Sequence, residues 1–170
     1  DTHIGRGIFG TADAERRSRS AAKVLGSTSG RVQSGLFAGM HIAPMVSWGD
    51  SCIIAKLLGC YETEVQNVLS DLLVRNEYDV IVNVGCAEGY YCVGLARLCA
   101  SARVIGVDVD PVAIEALEQN ARENEVADRV QGIAGDGVRE AVAGMGEFKR
   151  ALFVVDCEGA ELGLIDQRYS

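Results

Sequence analysis

The segment Asp79-Val-Ile-Val-Asn83-Val-Gly85-Cys86-Ala87-Glu88-Gly89-Tyr-Tyr91 decides how the rest of the chain is read. Its apolar run predicts a buried strand, followed by a glycine turn and a helix opening at Gly89. Glycines at 85 and 89 let the backbone approach a ligand closely, and the helix start presents N–H groups to it. A strand, a tight glycine loop and a helix are how nucleotide-like cofactors are held at the carboxyl end of a parallel sheet.

The same unit recurs downstream. Arg103 to Asp108 reads as a second strand, and Asp110-Pro111 supplies an N-cap with proline at the first helical position. The helix that follows turns Ile114, Leu117 and Ala121 inward and carries a Glu118/Arg122 pair outside. Arg129 to Ala134 makes a third strand, Gly135-Asp136-Gly137 a third turn, and Val138 to Ala143 a short helix. Arg150 to Asp156 is the fourth strand, ending in Cys157-Glu158-Gly159-Ala160-Glu161. Upstream, Thr63-x-x-Gln66 has the form of a capping box. Tyr61, Val65, Val68 and Leu72 recur at helical spacing, with Leu69 and Leu73 widening the stripe, so a helix is expected to about Arg75.

Alternating strands and helices imply an α/β fold, a parallel sheet with right-handed crossovers and helices on both faces. The expected strand order is 3-2-1-4. The fourth strand would then have an open edge, so further strands are expected beyond Ser170. Residues 59–170 form the expected ligand-binding domain, and residues 1–58 an N-terminal arm and cap region. Within it, residues 1–35 read as a poorly ordered arm with a short helix over Ala12 to Leu25. The more apolar stretch after it, with Trp48 and punctuated by Pro44 and Gly49, reads as a cap over the site or part of an acceptor pocket.

Composition narrows the partners. Hydrophobic residues at 48% and charged residues at 24% suit a globular chain, and no apolar run approaches the roughly 20 residues that span a bilayer. A net charge of −8 argues against nucleic acid, leaving Arg16-Arg17-Ser18-Arg19 as the one basic run. The six cysteines form no C-x-x-C pair and there are two histidines, so no metal site is expected. Reduced thiols point to a cytoplasmic location.

The three carboxyl-end turns meet an adenosyl ligand part by part. The Gly85-x-x-x-Gly89 turn faces a carboxylate or phosphate, Asp108 can accept from a ribose diol, and Asp136 can accept from an adenine amino group. A dinucleotide needs G-x-G-x-x-G, but Ala87 and Tyr90 stand at the third and sixth positions. That disfavours NAD(P).

Val-Asn83-Val-Gly85-Cys-Ala-Glu-Gly89, Val-Ile-Gly-Val-Asp108-Val-Asp110-Pro111 and Gly135-Asp136 resemble the successive motifs of class I S-adenosylmethionine-dependent methyltransferases. Asp156-Cys-Glu158-Gly159-Ala-Glu161 resembles the D-x-E-G-A-E segment of the FkbM-type group, and Gly59-x-Tyr61-Glu62 and Gly89-Tyr-Tyr fit the same group. The resemblance implies a Rossmann-like fold and S-adenosyl-L-methionine as cofactor, with S-adenosyl-L-homocysteine as product. It places Asn83, Gly85 and Gly89 around the methionine part and sugar, Asp108 at the ribose, and Asp136 with Gly137 at the adenine. Cys86, Ala87, Val109 and Asp156 complete that set. Asn83 departs from the acidic residue often found there, and it supplies no negative charge to the cofactor's ammonium group.

FkbM relatives imply O-methylation of a small-molecule or sugar-like hydroxyl. A hydroxyl acceptor needs a base, for which Asp156 and Glu158 are the candidates and His41 a third. Tyr90 and Tyr91 are expected to pack, and Glu88 is left without a role beyond capping or solvent. A catalytically silent cofactor- or partner-binding domain is the reading from a different class. A small-molecule acceptor is the expected partner, no membrane or nucleic acid is expected, and a dimer is compatible with the chain.

Overall fold

The computed structural model describes residues 9–43, 50–135, 138–139, 143 and 146–157. Its centre is a four-stranded sheet of β1 (Val80–Val84), β2 (Arg103–Asp108), β3 (Val130–Ala134) and β4 (Ala151–Val155). All three pairings are parallel and the order is β3-β2-β1-β4, as the sequence predicts. β1 is central and buried at every position, which is why its sequence is a continuous apolar run interrupted only by Asn83.

The helices are α1 (Phe9–Thr28), α2 (Asp50–Leu58), α3 (Thr63–Arg75), α4 (Tyr90–Leu98) and α5 (Pro111–Glu123). Ile81, Val104 and Leu152 pack with residues of α3, α4 and α5 in one core. Val80, Val82, Val84, Ile105 and Val107 form the cluster on the opposite face, where Val138 joins them. The Asp110 side chain accepts from the Val112 N–H, and Ile114, Leu117 and Ala121 are buried, as expected. Glu118 and Arg122 stand 3.8 Å apart on the exposed side. No helix among the described residues is long and apolar enough to cross a membrane.

Three local expectations are corrected. The N-terminal helix is 20 residues long, not a short one, and it ends where Ser29 and Gly30 take positive φ. After it the chain closes on itself: Arg31 bridges His41, and the Val32 N–H donates to the Met40 carbonyl at 2.8 Å. Val32, inside the expected arm, enters the main core, as do Phe37, Met40 and Ile42 of the apolar stretch that follows it. The capping box is absent, because Gln66 is drawn inside. Its Oε1 accepts from the Leu36 N–H at 2.9 Å, and its Nε2 donates to the Tyr61 carbonyl at 2.5 Å. With Gln66 inward, α3 rotates so that Leu69 is buried while Val65 and Val68 face solvent.

Two glycines fix the turn after β1. Gly85 has φ +75, and a Cβ there would run into the Asp156 carbonyl oxygen. Gly89 has φ +87, and a Cβ there would strike Leu117. Gly85→Ala is expected to cost at least about 2 kcal/mol, from left-handed strain plus overpacking. Urea unfolding of the variant against the parent chain measures it, and an unchanged midpoint would contradict the placement of the turn.

Candidate cofactor site

The carboxyl ends of β1, β2 and β4 meet at the Gly85–Gly89 turn. Gly85 and Cys86 both donate backbone N–H bonds to the Val107 carbonyl, at 2.8 and 3.1 Å. On the other side the Asp156 N–H donates to the Val84 carbonyl at 2.9 Å. The turn therefore sits between the last residues of β2 and β4.

Asp108 is buried, and both of its oxygens are engaged. Oδ2 accepts the Ala87 N–H at 2.8 Å and Oδ1 accepts the Asp110 N–H at 3.0 Å. A carboxylate offers about four lone-pair sites, so two remain for a ligand diol. Ala87 takes a left-handed φ of 46 within this arrangement. Val109 beside it is 75% exposed, an apolar side chain held in solvent where a flat heteroaromatic ring would cover it. Gly89 begins α4 with no side-chain cap, so among the described residues the first N–H groups of that helix have no side-chain acceptor. A diol acceptor, an apolar shelf and an uncapped helix start fit an adenosyl group carrying an amino-acid tail.

The sequence-derived candidates fall in different places. Gly85, Ala87, Gly89, Asp108 and Asp156 come together around the turn. Asn83 and Cys86 are buried beneath it, with Asn83 Nδ2 donating to the Val154 carbonyl at 3.2 Å and Oδ1 lying 3.6 Å from Cys92 Sγ. Asp136, Gly137 and Glu158 lie outside the described residues, as do Pro44, Trp48 and Gly49. His41 lies at the far end of α5 from Asp108 and Asp110. Its backbone pairs with Asn124 at the end of α5, roughly 20 Å along the helix from Asp110, and Nδ1 lies 2.5 Å from Glu123 Oε2.

Sequence reasoning missed the wall of the site. Glu88 is only 1% exposed, and its Oε1 accepts from Lys56 Nζ, itself 6% exposed. The Lys56 ammonium stands 4.9 Å from the Tyr61 ring centroid and 5.6 Å from that of Tyr90. Tyr90, Tyr91, Phe37 and Tyr61 pack edge to face, so both α4 tyrosines are packing residues as expected. Asn120 adds a brace, accepting the Ala43 N–H and donating to the Glu88 carbonyl, each at 2.8 Å. The available signal was a lysine inside the apolar run Ile53-Ile54-Ala55-Lys56-Leu57.

The tyrosines are held protonated. Burial first, then the hydrogen bond and charge of Glu62, push the Tyr61 and Tyr91 hydroxyls well above their ordinary value. Tyr61 also feels Cys52 and Asp156, and Tyr90 is raised mainly by burial. The unfolded chain ionises these phenols near pH 10 while the folded chain resists. Their stabilisation is complete below that pH and is lost as pH rises through the raised folded values. Thermal melts from pH 8 to 11.5 should show the midpoint falling from about pH 10 upward, less steeply in a Tyr61→Phe/Tyr91→Phe variant.

The buried pair makes a second prediction. Lys56→Met leaves Glu88 charged and uncompensated and should cost about 3–5 kcal/mol. Adding Glu88→Leu should recover most of that loss in denaturant titration. Additive losses in the double variant would show that the two groups do not act as a pair.

The strand order, the glycine turn and the carboxylate at the end of β2 define the class I S-adenosylmethionine-dependent methyltransferase fold. Residues 66–156, more than half of the chain, match the TRM5/TYW2 methyltransferase domain. The chain belongs to that family. It is also similar to the ribosomal protein L11 methyltransferase of Aeromonas hydrophila, 45% identical over 51 residues that cover 30% of this chain and 17% of that protein. The Herpetosiphon aurantiacus protein of the same name is 36% identical over 63 residues, 37% of this chain and 19% of that protein. The chain thus spans under a fifth of these curated relatives. Among solved structures, an O-methyltransferase from Bacillus cereus in complex with S-adenosylhomocysteine aligns over 97% of this chain and 61% of its own. Its TM-score is 0.50 at 14% identity, a likeness of fold.

Proposed function

We propose that the chain binds S-adenosyl-L-methionine across the Gly85–Gly89 turn and supports methyl transfer from it to a hydroxyl of a small molecule. The observation that carries the cofactor reading is the Asp108 carboxylate, oriented by Ala87 and Asp110 at the mouth of an uncapped α4. Bound S-adenosylmethionine supplies a methyl group already activated on a sulfonium. The protein's share is placement and exclusion of water. Asp108 takes the ribose diol, Gly85, Ala87 and Gly89 give backbone room, and Val109 lies under the adenine, the part that the sequence resemblance assigns to Asp136 and Gly137. Asn83 and Cys86 support the turn from beneath.

For a hydroxyl acceptor the new C–O bond forms as the C–S bond breaks, its electron pair stays on sulfur, and the hydroxyl proton must leave. Asp156 is the group for that proton, with Glu158 in the same segment. The FkbM-like segment Asp156-Cys-Glu158-Gly159-Ala-Glu161 supports the small-hydroxyl acceptor. Membership of the TRM5/TYW2 domain family favours a second reading, in which the acceptor is RNA.

Isothermal titration with S-adenosylhomocysteine, S-adenosylmethionine and NAD tests the cofactor. Micromolar adenosyl binding without NAD binding is expected, weakened at least about tenfold in Asp108→Ala, the range of a lost charge-assisted hydrogen bond. Absence of adenosyl binding, or full affinity in Asp108→Ala, would sink the site as drawn. Methyl release from labelled cofactor onto hydroxyl compounds and onto RNA then separates the two acceptors. Binding without turnover on either would favour a silent domain.

A further inference from the structure

The cradle leaves one polar cluster unused, between the loop before α3 and the first turn of α4. Glu62 has a left-handed φ of 45 and does not cap α3 with its side chain. Its carboxylate instead accepts from the Tyr91 hydroxyl and raises the Tyr61 phenol through its charge. Tyr91 is the second residue of α4, two after Gly89, so this bond ties the Glu62 carboxylate to the first turn of that helix. It is half-buried, with about two of its four lone-pair sites still open.

Among the described residues, Lys56 is ion-paired with Glu88, and Glu62 has no ion pair. The buried Glu88 Oε2 has no hydrogen-bond partner among them. Asn83, at the end of β1, brings no charge, and its amide is bonded within the sheet. A zwitterionic amino-acid tail is the ligand this pattern suits. Its carboxylate meets the uncapped N–H groups of α4, and its ammonium meets a carboxylate beside them.

We propose that Glu62 receives the α-ammonium of the cofactor's amino-acid tail, with Tyr91 fixing the carboxylate in place. This rests on the cofactor reading above and assigns the negative charge that Asn83 does not supply. The Tyr91 hydrogen bond holds the carboxylate at fixed orientation, so less is lost in ordering it when the ammonium arrives.

Titration calorimetry with three ligands tests it: S-adenosylhomocysteine, its analogue lacking the α-amino group, and 5′-methylthioadenosine, which lacks the tail. The parent chain should bind the deaminated analogue about 10- to 100-fold more weakly than S-adenosylhomocysteine, the range of a charge-assisted hydrogen bond. Glu62→Gln should lose a similar factor for S-adenosylhomocysteine while keeping its affinity for 5′-methylthioadenosine within twofold. Equal affinity of the parent for the two tailed ligands overturns the proposal, as does an unweakened Glu62→Gln. If Glu62→Gln binds neither nucleoside because it does not fold, the comparison on the parent chain decides alone. A parent that binds none of the three overturns the cofactor reading and this proposal with it. A parent that binds all three alike overturns only this one.

Discussion

Two backbone N–H groups converge on one carboxylate, and the site depends on that convergence. Asp108 ends β2, yet it bonds both Ala87 in the turn after β1 and Asp110 ahead of α5. Ala87 pays about 1–2 kcal/mol for a left-handed backbone, and a hydrogen bond to a charged group, about 1.5–3 kcal/mol, offsets it. The carboxylate thus holds two neighbouring turns in register and keeps its remaining lone pairs at the sheet edge. Structure and ligand recognition are not separable at this residue, because the bonds that shape the turn also orient the acceptor atoms.

Behind the turn, rigidity comes from a costly arrangement. Lys56 and Glu88 are both nearly removed from water, which costs several kcal/mol per ion before their attraction is counted. The rings of Tyr61 and Tyr90 face the ammonium, and Asn120 holds the Glu88 carbonyl. Each of these groups comes from a different part of the chain: α2, the loop before α3, the glycine turn, α4 and α5. Such a wall fixes where the turn lies relative to α2, which a purely apolar contact would leave free to slide.

The elements that were legible in the sequence are those with local signatures. β1 and β2 are apolar runs closed by glycine or aspartate, and α5 opens on Asp110-Pro111 and repeats Ile114, Leu117 and Ala121. The order of the sheet follows from the alternation of strands and helices. What was not legible depends on partners distant in sequence. Gln66 looks like a capping residue until Leu36, 30 residues earlier, takes its side-chain oxygen. That contact then rotates α3 away from the apolar stripe its spacing suggests. Lys56 and Glu88 are 32 residues apart, and Asn120 and Ala43 are 77 apart, so no periodicity links them. Phe37 and Met40 sit in a glycine-punctuated segment whose burial depends on the α4 tyrosines.

The same cluster bears on the acceptor. In the order β3-β2-β1-β4 the chain reverses direction of growth between β1 and β4, the place where open α/β sheets bind their ligands. A cofactor in the proposed pose has its ribose at Asp108 on the β2 side, so an acceptor comes from the β4 side, past Asp156 and Tyr61. Asp156 and Glu62 both lie within electrostatic reach of the Tyr61 hydroxyl, and Lys56 beside that ring is paired with Glu88. Carboxylates there repel a phosphate backbone, whose binding needs concentrated Lys and Arg. A neutral hydroxyl compound presenting an apolar face to Tyr61 meets no such penalty. RNA would need to be held by basic groups elsewhere, and the basic run of the chain, Arg16-Arg17-Ser18-Arg19, belongs to α1. Within the function proposed above, the acidic groups near Tyr61 favour the small acceptor, while membership of the TRM5/TYW2 family favours RNA.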